Sequence, residues 1–129
     1  MRIWLPTFFL VTLAGVALAQ QPSPAPLFQE GKLIFEDNCA QCHRMGGEGL
    51  PGTFPALNGD PFVTGDPGPV IATVLNGRKG KLGQMPTWKD KLDDAQVAAV
   101  VTYVRGAWSN RAPGVTPQAV AAVRRQGGK

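Results

Sequence analysis

The stretch Cys39-Ala40-Gln41-Cys42-His43 decides how the rest of this chain is read. Two cysteines separated by two residues and followed at once by histidine have the spacing of a covalent haem attachment site. The chemistry accounts for that spacing. Each thiol adds across one porphyrin vinyl group, and one turn of backbone lets both reach the same edge of the ring. His43 then offers a neutral imidazole nitrogen to the iron as proximal ligand. Other uses of the pattern fit poorly. A structural zinc ion wants four nitrogen or sulfur ligands, and the chain has one histidine beside two cysteines. A thioredoxin-like pair sits in a βαβ context, and no run of β-branched residues precedes Cys39. A Cys39–Cys42 disulfide closes a very small loop and stabilises little.

Length and composition bound the answer. The 129 residues suit one domain. Residues 1–19 read as a signal peptide: Arg2 carries the positive charge, Leu5 to Val16 form the apolar centre, and Ala17-Leu18-Ala19 is a cleavage site ahead of Gln20. An uncleaved anchor is the alternative, but the apolar run is shorter than the ~20 residues a membrane span needs. With 16 glycines and 12 prolines the chain is expected to be ordered and rich in loops. Its apolar residues are too scattered to build a large core unaided, and a buried prosthetic group would supply part of what is missing. Charge is mildly basic, 13 Lys and Arg against 9 Asp and Glu, with Arg2 leaving in the signal peptide. That balance permits docking on an acidic partner. It is too weak to argue for nucleic acid, and no basic block interleaved with aromatics supports one.

Taken in order, residues 20–26 form a proline-rich tail expected to be extended rather than helical. A helix follows from Leu27 to Asn38, with Leu27, Ile34 and Phe35 on one face. Gly31 on that side leaves room for another helix to approach, which gives a reason for a residue costing ~1 kcal/mol inside a helix. The segment from Met45 to Gly52 reads as loop. Met45, two residues from His43, lies on the proximal side and is expected only to pack or be exposed. Within Phe54-Pro55-Ala56-Leu57, the Pro55 carbonyl is able to accept a proton from His43 Nδ1 and so orient the ring. Asp60 to Pro69 is expected to be irregular, with a short helix from Pro69 to a stop at Gly77. Residues 78–88 read as a polar, flexible segment with Met85 inside it, and Pro86 restricts Met85 to extended shapes. The next helix carries an Asp93/Gln96 capping box and a Leu92–Val97 staple. Its face repeats through Val97, Val100, Val101, Val104 and Trp108. A break at Arg111–Gly114 precedes a last short helix from Thr116 and Pro117, with a Val115–Val120 staple and basic residues Arg124 and Arg125 at its end.

A haem iron that carries electrons needs its other face closed. Met1 leaves in the signal peptide and Met45 is on the proximal side, so Met85 is the expected sixth ligand. A second axial histidine within the chain is ruled out by count. A thioether holds the iron six-coordinate and raises its potential.

With these residues in view, the mature chain resembles a class I c-type cytochrome over most of its length. Gly31-Lys32-Leu33-Ile34-Phe35 ahead of Cys39-Ala40-Gln41-Cys42-His43 is similar to the family's first helix. Phe54-Pro55-Ala56-Leu57 is similar to the segment whose proline carbonyl orients the proximal histidine and whose leucine packs on haem. Met85 matches the distal ligand, and Val100 to Arg105 with Tyr103 matches the final helix, which crosses the first at Gly31. Tyr103 to Pro113 is similar to the ends of cytochrome domains in bacterial dehydrogenase and oxidase chains. The resemblance implies an all-α cytochrome c fold of about four to five short helices, spanning residues 27–129, around one covalently attached haem c. The haem-binding residues it implies are Cys39, Cys42, His43, Pro55, Leu57 and Met85, with His43 and Met85 on the iron.

The implied role is electron transfer between exported or membrane redox partners, without catalysis of its own, in a periplasmic or otherwise exported location. Membrane association through a partner is compatible with it. Arg78, Lys79, Lys81, Lys89 and Lys91 flank Met85 and read either as groups that steer docking to an acidic partner or as solvated loop cations. A haem-carrying subunit of a larger dehydrogenase or oxidase is the alternative. A haem peroxidase or gas sensor would need an open iron or a distal acid-base group.

Overall fold

Among the described residues three helices start with a capping residue followed by proline: Asp60-Pro61, Asp66-Pro67 and Thr116-Pro117. Each cap accepts a backbone N–H that has no partner inside the helix: Phe62 N at 2.8 Å, Gly68 N at 3.0 Å and Ala119 N at 3.2 Å. Proline fits the first turn because its missing N–H would have been unpaired there anyway. A fourth start is the reciprocal box at Asp93 and Gln96, with both bonds formed at 2.8 and 3.0 Å. Such caps are worth about 1 kcal/mol each.

The computed structural model describes residues 24–80 and 83–127. Residues 1–19, expected to be a signal peptide, residues 20–23 of the tail and Lys81 lie outside them. Among the described residues there are six helices and one small ribbon: α1 (Pro24–Asn38), α2 (Ala40–His43), α3 (Pro61–Thr64), α4 (Pro67–Asn76), β1 (Arg78–Lys79), β2 (Gln84–Met85), α5 (Asp94–Gly106) and α6 (Pro117–Gln126). The architecture is all-α, two of the helices being single turns. No helix among the described residues is long and apolar enough to cross a membrane.

The core forms where α1 crosses α5. A Cβ on Gly31 would fall inside contact distance of the Ala99 carbonyl and stand 2.9 Å from Tyr103 Cβ, so glycine is what lets the helices meet. Phe28, Phe35, Tyr103 and Trp108 gather at this crossing, with ring centroids 5.1–5.6 Å apart in tilted and edge-on pairs. Val97 and Val101 of α5, Ile71 and Leu75 of α4 and Val120 of α6 fill the other side, all of them buried.

Four sequence expectations need correction. α1 begins at Pro24, inside the stretch expected to be extended, because prolines at a helix start remove only N–H groups that are unpaired there. The region expected to be irregular contains α3, and α4 starts at Pro67 rather than Pro69, because Asp60 and Asp66 each cap a proline-led turn. Residues 78–79 and 84–85 pair as an antiparallel ribbon instead of a structureless loop. Trp108 is not on the face of α5: the helix ends at Gly106, and Trp108 takes a left-handed backbone, φ 55°.

Candidate haem site

Cys39 caps α2 and Cys42 and His43 lie within it, so one helical turn carries all three side chains. The turn is closed by His43 N–H on the Cys39 carbonyl at 2.9 Å. Both thiols are free and half-buried. Burial first, and the neighbouring Cys42 second, push the Cys39 thiol up to about 11, so at neutral pH it stays protonated. His43 is buried, with 8% exposure.

Beyond α2 the chain makes a closed loop. Gly49 N–H donates to the His43 carbonyl at 2.9 Å, and Leu57 and Asn58 N–H groups converge on the Gly47 carbonyl at 2.7 and 3.0 Å. This return brings His43 Nδ1 to 3.0 Å from the Pro55 carbonyl oxygen. In the tautomer that donates there, Nε2 is left unprotonated. Among the described residues Nε2 makes no hydrogen bond. Gly49, φ 65°, makes the approach possible, since a Cβ there would stand 2.6 Å from the Pro55 oxygen. Leu57 is half-buried against the core.

Met85 arrives from a separate element. It sits half-buried on β2, opposite Arg78 of β1. Gly77, φ 72°, turns the chain out of α4 into this ribbon. After Met85 the chain returns to α4, with Thr87 Oγ1 donating to the Leu75 carbonyl at 2.6 Å and Trp88 N–H to Val74 at 3.2 Å. The ribbon is therefore pinned on both sides of Met85. Arg78 also spreads its guanidinium over the Phe62 ring of α3, 5.2 Å from the centroid.

The donor set fits a haem. Two thiols stand on one turn, one imidazole has its far nitrogen tied off and its near nitrogen open, and a thioether projects from a braced ribbon. Against known proteins, the chain matches the family described as cytochrome c oxidase, cbb3-type, subunit III over residues 26–104. The chain belongs to this family of c-type cytochrome domains. Haem c is the group that such domains carry.

Similar proteins include the gluconate 2-dehydrogenase cytochrome c subunit of Pantoea cypripedii, 36% identical over 107 residues, covering 75% of this cytochrome and 24% of that protein. The cbb3-type cytochrome c oxidase subunit FixP of Azorhizobium caulinodans is 40% identical over 96 residues, covering 70% and 32%. The cytochrome c subunit of a quinone alcohol dehydrogenase from Gluconobacter oxydans is 34% identical over 93 residues, covering 65% and 19%. This cytochrome thus spans about a third or less of the length of its curated relatives.

Two residues with structural roles escaped sequence reasoning, Gly49 at the site and Arg105 in the core. Gly49 was one of several loop glycines, with nothing local to single it out. Arg105 is 3% exposed, and its guanidinium donates to the carbonyls of Val63 at 2.7 Å, Gly65 at 2.8 Å and Pro113 at 2.9 Å. Burial pulls the Arg105 guanidinium below its ordinary range, Asp66 pushing the other way; an arginine stays charged regardless.

Proposed function

We propose that this cytochrome is a one-electron carrier with a single haem c, attached through Cys39 and Cys42 and held axially by His43 and Met85. When bound, haem c supplies an Fe(III)/Fe(II) couple. The chain's own residues hold and tune it. The observation that carries the reading is the 3.0 Å contact between His43 Nδ1 and the Pro55 carbonyl. Donation to that oxygen fixes the tautomer, turns Nε2 outward and makes it a better donor. The Met85 thioether favours the reduced state and closes the sixth position against small molecules, which sets a carrier apart from a peroxidase or gas sensor. One attachment motif in the sequence supports one haem.

Relatives named as subunits of oxidases and dehydrogenases support redox proteins as partners, in a free shuttle or an assembled complex. Residues 1–19 support export to the periplasm. Arg78 and Lys79 on the ribbon and Lys89 and Lys91 after it are exposed and serve to steer an acidic partner.

The test is the visible spectrum of the protein made with cytochrome maturation. A haem that survives denaturation without release, a sulfur-to-iron band in the oxidised form, loss of that band in Met85→Ala and carbon monoxide binding only in that variant are expected. A colourless mature protein overturns the reading. Tight carbon monoxide binding to the unmodified reduced protein overturns the carrier role.

A further inference from the structure

We propose that the turn Trp108-Ser109-Asn110 is a positioning device for the proximal histidine, gripping both ends of the loop that His43 and Pro55 close; this rests on the reading of His43 as an axial ligand. The turn lies beyond the 26–104 stretch that matches the family. Trp108 donates its indole N–H to the Met45 carbonyl at 2.9 Å, two residues after His43. Its ring lies so close to Gly47 that a Cβ there would stand 2.6 Å away. Asn110 is 2% exposed and donates to the Leu57 carbonyl at 2.9 Å, two residues after Pro55. It also donates to the Val104 carbonyl at 2.7 Å and accepts Gly59 N–H at 2.8 Å. Between them, Ser109 Oγ donates to Asn58 Oδ1 at 2.5 Å.

Three consecutive residues thus hold Met45, Leu57, Asn58 and Gly59. These follow the two partners of the His43–Pro55 hydrogen bond by two to four residues. Trp108 keeps a left-handed backbone, φ 55°, to aim its indole at the loop. That conformation costs a non-glycine residue about 1–3 kcal/mol and persists only where surrounding contacts hold it. The Pro55 oxygen is free to drift unless the chain that follows it is anchored. Drift lengthens the bond, loosens the ring orientation and weakens the imidazole as a donor.

A turn that merely completed the fold would affect stability alone, so the experiment separates the two. In the reduced holo-protein, exchange of the His43 Nδ1 proton with solvent is followed by NMR, and the reduction potential is measured alongside. Trp108→Phe keeps an aromatic ring beside Phe35 and Tyr103 and removes the N–H donor together with part of the ring packed on Gly47. Asn110→Asp keeps the acceptor for Gly59 and removes both donations. Val120→Ala, in the buried core of α6, is the control for lost stability. Both turn variants are expected to speed exchange at least about fivefold and to shift the potential, while the control loses stability with exchange within about twofold of the unmodified protein. Trp108→Phe carries the test if Asn110→Asp does not fold. Unchanged exchange in a haem-loaded Trp108→Phe protein, or equal acceleration in the control, overturns the clamp and leaves the haem reading standing. Failure of the unmodified protein to take up covalent haem overturns both.

Discussion

Gly77 and the carbonyl oxygen of Met85 stand so close that no side chain fits between them. Gly77 also has φ 72° and ψ −179°, a backbone region essentially reserved for glycine. The residue that lets α4 end therefore also sets where the ribbon lies and where Met85 is offered.

Gly77→Ala is expected to displace β2 and cost about 1–3 kcal/mol in stability. Its specific signature is a weakened sulfur-to-iron band in the oxidised protein. A full-strength band in a stable Gly77→Ala protein would show that Met85 reaches its place by other means.

Gly31→Ala drives a methyl group into the Ala99 carbonyl at the crossing of α1 and α5. A loss of about 3 kcal/mol, roughly 15 °C in thermal midpoint, is expected from the overpacking. Calorimetry of the holo-protein checks it.

Arg105 is buried without an ion pair among the described residues, its charge carried by three carbonyl oxygens. An ammonium is compact and lacks the guanidinium's planar fork, so Arg105→Lys gives up part of the set formed with the buried Val63 carbonyl and the carbonyls of Gly65 and Pro113. A cost of about 2–4 kcal/mol follows, and Arg105→Met is expected to lose more. Equal denaturant midpoints for the lysine variant and the unmodified protein would remove Arg105 from this role.

Tyr103 is the single tyrosine, so its phenolate absorbance titrates alone. Burial first, and Glu36 second, raise its pKa above the ordinary value. The folded state then holds the proton more tightly than the unfolded chain. The stability this provides is complete below a pH of about 10, and is lost as pH rises from there through the folded-state pKa. Difference spectra against Tyr103→Phe are expected to titrate late, and the variant is expected to lack that part of the alkaline fall in stability.

Much of this was legible from local chemistry. The Asp93–Gln96 box, the Thr116-Pro117 start and the glycine at position 31 announce themselves because capping and close approach depend on residues within a few positions. What stayed hidden depends on distant backbone. Asn110 and Arg105 satisfy carbonyls some 40–53 residues away, and a carbonyl carries no residue identity to read. Trp108 continued the four-residue spacing from Val104, yet the chain had already left the helix to meet Met45. Two-residue strands are too short to show alternation, so the ribbon beneath Met85 left no pattern.

Engineers who graft redox modules between proteins need to know where to cut. Severing the polypeptide at residue 104 would keep both thiols, the imidazole and the thioether, yet discard the indole, the carboxamide and, further on, Arg124, whose guanidinium fastens the Lys89 and Leu92 carbonyls beyond Met85. The smallest transplantable piece accordingly extends through the last helix.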